Sequence, residues 1–158
     1  MEALDKKMIA LNQQVATQEE GIRLAGQLLV DGGCVEPEYI DAMQARNQDV
    51  SVYMGNFIAI PHGTEDGMKY IKKTGISVVQ VPMGVSWGNP DDNDDDKTVT
   101  VIFGIAGLNG EHLNLLSQIA IYCSDVANVA KLADAQSEDE IINLLKEFDY
   151  HVRRTFWR

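Results

Sequence analysis

The stretch "TVTVIFGIA", Thr98 to Ala106, decides the fold class, because nearly every residue in it is apolar or β-branched. A strand with one solvated face alternates polar and apolar residues, whereas a strand that is covered on both faces is apolar along its length. The stretch is therefore predicted to be a central strand, with helices packed on both faces of its sheet.

Other strand-like stretches precede it in the chain. Residues 8–11, 56–60 and 75–81 are apolar runs that are each predicted to form a strand. Residues 81–90, "VPMGVSWGNP", contain two prolines and two glycines, and a turn, a short edge strand and a second turn are expected there. The sheet should therefore have about five strands.

Two helices are predicted before the second of these strands. Thr17 and Glu20 have the spacing of a capping box, in which each side chain satisfies a free backbone N–H at a helix start. This helix is expected to end at the two glycines 32–33, with an apolar side made of Ile22, Ala25, Leu28 and Leu29. Pro37 is a favourable first residue for the next helix, which should direct inward Tyr39, Ile40 and Met43.

The part of the chain after the central strand is predicted to be helical. Residues 110–125 carry apolar side chains at helical spacing, namely Leu113, Leu116, Ile119, Ala120 and Cys123. A further helix should follow Ser124, and Ser137 with Glu140 forms a second capping box before another.

Strands in the middle of the chain and helices on either side predict an α/β fold. We expect a single-domain mixed β-sheet of about five strands, flanked by helices on both faces. One domain should cover residues 1–158, with a core at about 7–148 and a basic, aromatic tail at 149–158. The initial Met and the short ends favour a free-standing subunit.

The charge and the cysteines restrict the partners and the location. A formal net charge of −11 argues against nucleic acid or an anionic membrane as partner, because both would be repelled, and favours a partner with a basic patch. Cys34 and Cys123 lack metal-binding or disulfide-type spacing and are interpreted as reduced structural thiols of a cytoplasmic protein. The amino terminus is too polar for a signal peptide, and no membrane insertion is expected.

The stretch "FIAIPHGTED", residues 57–66, places His62 directly after a proline at the end of an apolar run. Pro61 fixes its own φ and Gly63 permits tight backbone geometry, so the chain is expected to leave the core here. His62 would then lie at a strand exit, a common position for catalytic residues. Its imidazole could serve as a nucleophile or acid/base, or merely cap the strand, and both interpretations stay open.

Two further residues are candidates for the same site. His112 lies in the first turn of a predicted helix, where free N–H groups and the helix dipole attract phosphate. Both histidines follow an apolar strand, so both are expected at one edge of the sheet. Arg46 is either a favourable cation at a helix carboxyl end or, if it points to that edge, a group suited to phosphate oxygens.

Other chemistries have weaker support in the sequence. The acidic run at residues 91–96, "DDNDDD", lacks the glycine turn and distal glutamate of an EF-hand loop, so a solvated loop is expected. Glu111 with the two histidines lacks a metal-binding motif, and no metal is expected. Cys34 has packing as its default role. The chain contains no nucleotide-binding motif, so no cofactor is expected.

Four segments in sequence order resemble one known family. They are "VEPEYIDAMQARN" at 35–47, "GNFIAIPHGTED" at 55–66, "KTGISVVQVPMGVSWG" at 73–88 and "VTVIFGIAGLNGEHLNLLSQIA" at 99–120. Together they look like the signatures of the mannitol/fructose-type enzyme IIA of the bacterial phosphoenolpyruvate-dependent sugar phosphotransferase system, with the mannitol branch nearest. The resemblance covers roughly residues 7–148.

The resemblance implies a function for the three candidate residues. His62 would be the phosphohistidine, which receives a phosphoryl group on Nε2 from the carrier protein HPr and passes it to a cysteine of the cognate enzyme IIB. His112 would help to hold the phosphoryl group, and Arg46 would supply positive charge. The chain would thus be a cytoplasmic phosphotransferase in the uptake of mannitol or a related sugar, associated with the membrane only through its transporter.

Two alternatives stay open. The nitrogen-regulatory relatives share the phosphohistidine, so the chain could be a regulatory module whose phosphorylation state another protein senses. His112 within "GEH" and the "VEPEY" segment favour the sugar-specific branch. A small metal-dependent hydrolase that uses His62, Glu111 and His112 is the other hypothesis.

Overall fold

The computed structural model describes residues 4–88 and 97–146. The strands are β1 (Leu4–Ala10), β2 (Tyr53–Gly55), β3 (Ile58–Ala59), β4 (Gly75–Ser86) and β5 (Thr98–Ala106). The α-helices are α1 (Gln18–Asp31), α2 (Glu38–Asp49), α3 (Glu111–Tyr122), α4 (Val126–Asp134) and α5, described over residues 138–146, and a short 3₁₀ helix covers Glu65–Tyr70. The acidic run at 91–96 and the basic tail at 149–158 lie outside the described residues.

The five strands form one mixed sheet in the order β1-β4-β5-β3-β2. β4 and β5 pair antiparallel at the centre, while β1 pairs parallel with β4 and β3 pairs parallel with β5. The predicted α/β fold with a central strand at Thr98–Ala106 is confirmed. Because β3 and β5 are parallel, the residues that follow them emerge at the same edge of the sheet.

Helices cover both faces of the sheet, as predicted. Neighbouring residues of β5 alternate between two hydrophobic clusters: Phe103 and Ile105 lie in the cluster that α3, α4 and α5 complete, and Ile102 and Ala106 lie in the cluster that α1 and α2 complete. All four side chains are fully buried. Within the part of the chain that the structure describes, no helix has the length and hydrophobicity needed to cross a membrane.

Both predicted capping boxes are present. The N–H of Glu20 donates to Thr17 Oγ1 (3.2 Å), and Glu20 Oε2 accepts from the backbone N–H just before the cap (3.0 Å). The N–H of Glu140 donates to Ser137 Oγ (3.1 Å), and Glu140 Oε2 likewise accepts from the preceding backbone N–H (2.8 Å). These reciprocal bonds satisfy N–H groups that have no partner inside the helix, and they fix where α1 and α5 begin.

The sheet differs from the prediction at residues 81–90. No turn follows residue 81, because β4 continues to Ser86 and pairs with the beginning of β5. The register shifts between Gln80 and Val85, and Gly84 adopts a φ of +82°, so the proline and glycine of this segment are accommodated by an irregularity within the strand. The fifth strand is instead β2, which was not predicted and which pairs antiparallel with β3.

The buried face of α3 is also rotated from the one expected. Ile119 and Cys123 are buried as expected. Leu113, however, is 62% exposed, Leu116 and Ala120 are only partly buried, and Leu115 and Tyr122 are buried instead. In the earlier helices, the inward positions Tyr39 and Met43 are confirmed, but Ile40 and Leu28 are only partly buried.

A buried polar residue joins β4 to the elements around it. The Gln80 side chain is 3% exposed, and its Nε2 donates to the carbonyls of Leu132 and Ala135 (3.0 and 2.9 Å). Its Oε1 accepts from the Asn12 N–H (2.9 Å). Each polar atom of this buried amide has a partner, which is the condition under which such a group can lie in a core.

Candidate functional site

The backbone around His62 extends the edge of the sheet beyond β3. The N–H of Ile105 donates to the Pro61 carbonyl (3.0 Å), and His62 forms a parallel bridge with Ile105. The chain turns away from the sheet at Gly63 and enters the 3₁₀ helix at Glu65. His62 therefore lies at a strand exit, as the sequence predicts.

The imidazole of His62 is half-buried and is oriented by one hydrogen bond. Its Nδ1 lies 2.8 Å from the Ile60 carbonyl oxygen. Because a carbonyl oxygen can only accept, Nδ1 carries the proton and donates it. In the neutral ring Nε2 then holds a free lone pair, which makes this nitrogen the nucleophilic one.

His112 lies in the first turn of α3, which begins after Gly110 in a left-handed conformation (φ +81°). Gly107 lies unusually close to the backbone of His112, since a Cβ at residue 107 would stand 2.2 Å from the His112 backbone nitrogen. The Leu108 N–H donates to Thr74 Oγ1 (3.1 Å) and fixes the same turn. The turn between β5 and α3 thus holds His112 at the edge where His62 emerges.

The Nδ1 atom of His112 is buried and has no hydrogen-bond partner among the described residues. A proton on this atom would be a buried donor without an acceptor, which is costly. The structure therefore favours the tautomer with the proton on Nε2, so that Nε2 is available as a hydrogen-bond donor.

Arg46 reaches the same place from the last turn of α2. Its Nη1 donates to the Val50 carbonyl beyond the end of the helix, and the side chain is half-buried. The guanidinium thus satisfies a carbonyl at a helix carboxyl end and also adds positive charge beside His62. Arg46 therefore lies at a helix carboxyl end, as the first interpretation expects, and also at the edge where His62 emerges.

Two adjoining cavities contain these groups. The first, about 260 Å³, is lined by Tyr39, Arg46, His62, Gly63, Thr64, Glu65, Met68, Ile71, Gly107 and His112. The second, about 350 Å³, is more apolar and includes residues of β2 and α3 besides Arg46 and His62. Because Arg46 and His62 line both cavities, they stand at the boundary between them.

The surroundings of His62 keep its ring neutral at neutral pH. Burial lowers the pKa of His62 below its ordinary value of 6.5. The hydrogen bond to the Ile60 carbonyl raises this pKa in part, and electrostatic interactions with Arg46 and His112 lower it further. A lowered pKa preserves the free lone pair on Nε2 near pH 7.

Tyr39 is a site residue that the sequence argument missed. Its side chain was expected only to face the core, and it is 2% exposed. Tyr39 nevertheless lines the first cavity, and its hydroxyl accepts from the Gly63 N–H (2.9 Å) and donates to the Ile105 carbonyl (2.8 Å). Burial raises the pKa of Tyr39 to about 12, so the phenol stays protonated and keeps its donor.

The residues of the other hypotheses are not assembled into sites. Among residues 4–88 and 97–146, no group of three or more His, Cys, Asp and Glu side chains is arranged to hold a metal ion. Cys34 is fully buried with its Sγ 3.7 Å from Met8 Sδ, and Cys123 is buried in the opposite cluster. Burial raises the pKa of both thiols, that of Cys123 to about 12, which agrees with the packing interpretation.

Comparison with known proteins connects this geometry to a family. A sequence model of the family "Phosphoenolpyruvate-dependent sugar phosphotransferase system, EIIA 2" matches residues 2–148. A relative named mannitol-specific phosphotransferase enzyme IIA component, from Enterococcus faecalis, is 60% identical over 141 residues, which are 89% of this chain and 95% of the relative.

Two solved structures from Escherichia coli have the same fold. One is a complex of enzyme IIAMTL and phosphorylated enzyme IIBMTL, with a TM-score of 0.83 and 36% identity over 90% of this chain and 96% of the matched chain. The other is the crystal structure of IIA mannitol, with a TM-score of 0.81 and 38% identity over 89% of this chain and 97% of the matched chain.

Proposed function

The chain belongs to the EIIA 2 family of the phosphoenolpyruvate-dependent sugar phosphotransferase system, and from that premise we propose that His62 is its phosphoryl-accepting residue. In this proposal phospho-HPr is the donor and a cysteine of a mannitol-type enzyme IIB is the acceptor. The observation that carries the assignment is the convergence of a nucleophilic histidine, a second histidine and an arginine on one cavity.

The transfer onto His62 is an in-line displacement at phosphorus. The Nε2 lone pair forms the new N–P bond, while the N–P bond of the donor phosphohistidine breaks and its electron pair returns to the donor imidazole. The Nδ1 proton of His62 stays in place, so the phosphorylated ring carries positive charge, which the hydrogen bond to the Ile60 carbonyl stabilises. Onward transfer to the IIB thiolate is the same displacement with His62 as the leaving group.

The other site residues stabilise charge. Phosphoryl transfer needs little covalent help from the protein, and positioning with electrostatic stabilisation supplies most of the catalysis. We assign the Arg46 guanidinium and the His112 Nε2–H as donors to the phosphoryl oxygens. Both side chains line the cavity with His62 and are only half-buried, so the group that they bind stays accessible to a second protein.

The partners follow from the relatives and from the charge. The Escherichia coli neighbour was determined in complex with a phosphorylated enzyme IIB, and this supports IIB as the acceptor. The net charge of −11 would steer basic-faced carrier proteins toward the site in transient encounters. The free thiols Cys34 and Cys123 are consistent with the reducing cytoplasm, where we place the relay.

Mannitol is the sugar that we propose for the relay, on the basis of the curated relatives' names. An enzyme IIA passes phosphate to a protein and does not bind the sugar, so this assignment depends on which IIB accepts the phosphoryl group. Efficient transfer to a mannitol-type IIB would support the sugar-uptake role over the regulatory one, and transfer to no IIB would favour the regulatory module.

The test is phosphorylation of the purified chain by phosphoenolpyruvate, enzyme I and HPr, followed by intact mass and peptide mapping. We expect an acid-labile, phosphate-sized gain on the peptide that contains His62, and no gain in His62→Ala. His151→Ala, which removes the chain's third histidine, is the matched control and should be labelled normally. His112→Ala should be labelled but should transfer to IIB more slowly. Normal labelling of His62→Ala would overturn the assignment.

A further inference from the structure

The hydroxyl of Tyr39 occupies an unusual place between two backbone segments of the site. It accepts from the N–H of Gly63, the residue after His62, and donates to the carbonyl of Ile105, the residue paired with His62. The two hydrogen bonds span 24 and 66 residues of sequence. One buried side chain of α2 therefore joins the His62 loop to the central strand.

The hydroxyl takes the place of one backbone hydrogen bond in the parallel pairing of His62 with Ile105. His62 and Ile105 form a parallel bridge, and the first bond of that bridge, from Ile105 N–H to the Pro61 carbonyl, is direct (3.0 Å). In a regular parallel ladder the next bond would run directly from the Gly63 N–H to the Ile105 carbonyl. Here the Tyr39 hydroxyl bonds to both of these groups, and the chain departs from the sheet just after His62.

The ring of Tyr39 also limits how the Gly63 peptide can move. A Cβ at Gly63 would stand 2.6 Å from Cε1 and 2.9 Å from Cζ of the tyrosine ring. The peptide that follows His62 is therefore packed on the ring and hydrogen-bonded to its hydroxyl. Pro61, on the other side of His62, has its φ fixed by its own ring.

We infer that Tyr39 is a positioning residue for the phosphoryl acceptor, because its hydroxyl sets the distance between the His62 loop and β5 and so the direction of the His62 ring. This inference rests on the proposed role of His62. The hydroxyl acts through the backbone, since its hydrogen bonds are to the Gly63 N–H and the Ile105 carbonyl. Without it, the Gly63 N–H can close directly onto the Ile105 carbonyl and carry His62 toward the sheet.

The test compares Tyr39→Phe with Ser77→Ala. Tyr39→Phe removes the hydroxyl and keeps the ring. Ser77→Ala removes another buried hydroxyl, which donates to the Ala25 carbonyl (2.7 Å) on the sheet face that packs on α1. This variant is the matched control, because it also loses one hydrogen bond of a buried hydroxyl. Both variants are phosphorylated by phospho-HPr, and kcat and KM are measured at a temperature where both are folded.

In Tyr39→Phe we expect kcat to fall about 10- to 100-fold, because misplacement of a reacting group by about 1 Å has effects of that size. KM for phospho-HPr should change by less than about twofold, since Tyr39 is only 2% exposed and offers almost no surface to a docking partner. The ¹⁵N resonances of the His62 ring should change from one Nδ1–H tautomer to a mixture. Ser77→Ala should lose stability but keep kcat and the His62 resonances.

The outcomes separate this inference from the proposed function. If the wild-type chain is labelled at His62 and Tyr39→Phe has an unchanged kcat, the positioning role is overturned and the proposed function stands. An unlabelled wild-type chain overturns both. If Tyr39→Phe does not fold, amide exchange of the wild-type chain decides: protection of the Gly63 N–H supports the inserted bond, and exchange at the rate of an unstructured amide refutes it.

Discussion

Replacing Gly107 by alanine tests how closely the turn after β5 holds His112. The added Cβ would stand 2.2 Å from the His112 nitrogen, 2.5 Å from its Cα and 2.7 Å from its Cβ, whereas ordinary contact begins at 3.4 Å. The shortest of these distances is therefore about 1.2 Å too small. The contacted atoms belong mostly to the backbone of the first turn of α3, so the start of the helix has to move and His112 moves with it.

The size of the effect follows from this displacement. Overpacking of this kind costs about 1–3 kcal/mol of unfolding free energy, and each kcal/mol lowers Tm by about 2–4 °C in a chain of this length. With His112 in its proposed role as a donor to the phosphoryl oxygens, a shift of about 1 Å should lower the transfer rate by about 10- to 100-fold. Gly107→Ala should therefore still be labelled at His62 but should transfer slowly to enzyme IIB.

The assay is single-turnover transfer from the phosphorylated variant to IIB, together with urea unfolding. Gly110→Ala is the matched control in the same turn. Beyond its chain neighbours nothing lies within 4 Å of its added Cβ, but its φ of +81° is unfavourable for alanine. It should lose about 1–2 kcal/mol of stability and less than about threefold in transfer rate. Wild-type transfer in Gly107→Ala, or an equal loss in Gly110→Ala, would refute the steric argument.

Three further predictions concern the core and the titratable groups. Gln80→Leu should lower the free energy of unfolding in urea by about 2–4 kcal/mol, because it leaves buried backbone groups without partners. Labelling of His62 should be unchanged. An unaltered urea midpoint would contradict the role of the buried amide. Since burial lowers the pKa of His62, the folded chain binds fewer protons than the unfolded chain below about pH 6.5. The neutral His62 ring therefore stabilises the folded chain above that pH, and this stabilisation is lost as the pH falls through the lower pKa of the folded state. Unfolding curves of His62→Gln at pH 5 to 8 should lack this pH dependence. Burial also raises the pKa of Cys34 and Cys123, so iodoacetamide at pH 8 should modify both thiols only in urea; rapid modification of the native chain would show that they are accessible.

Much of the architecture could be predicted because its determinants are local. The capping boxes at Thr17 and Ser137 need only three residues of spacing, and both helices begin where predicted. The apolar and β-branched residues along β5 indicated burial on both faces. The proximity of His62 and His112 followed from one further rule, that residues after parallel strands meet at one edge of a sheet.

The features that were missed depend on contacts between distant residues. β2 has three residues, too few to show a pattern, and it exists because β3 provides a partner. β4 continues past Pro82 because the register shift absorbs the irregular residues. The hydroxyl of Tyr39 could not be assigned from sequence, since an inward tyrosine predicts burial but does not identify a carbonyl 66 residues away as its partner.

The parallel pairing of β3 with β5 also has a consequence for folding. His62 and Ile105 are 43 residues apart in sequence, and Tyr39 closes an even longer loop to the same strand. Contacts of such large sequence separation form late, because the entropy of loop closure must be overcome first. With His62 as the proposed acceptor, we expect a nascent or partly folded chain, which lacks the assembled edge, to be phosphorylated poorly. On this proposal, chains that have not completed their topology would stay out of the relay, and labelling with phosphate would report on the completion of folding.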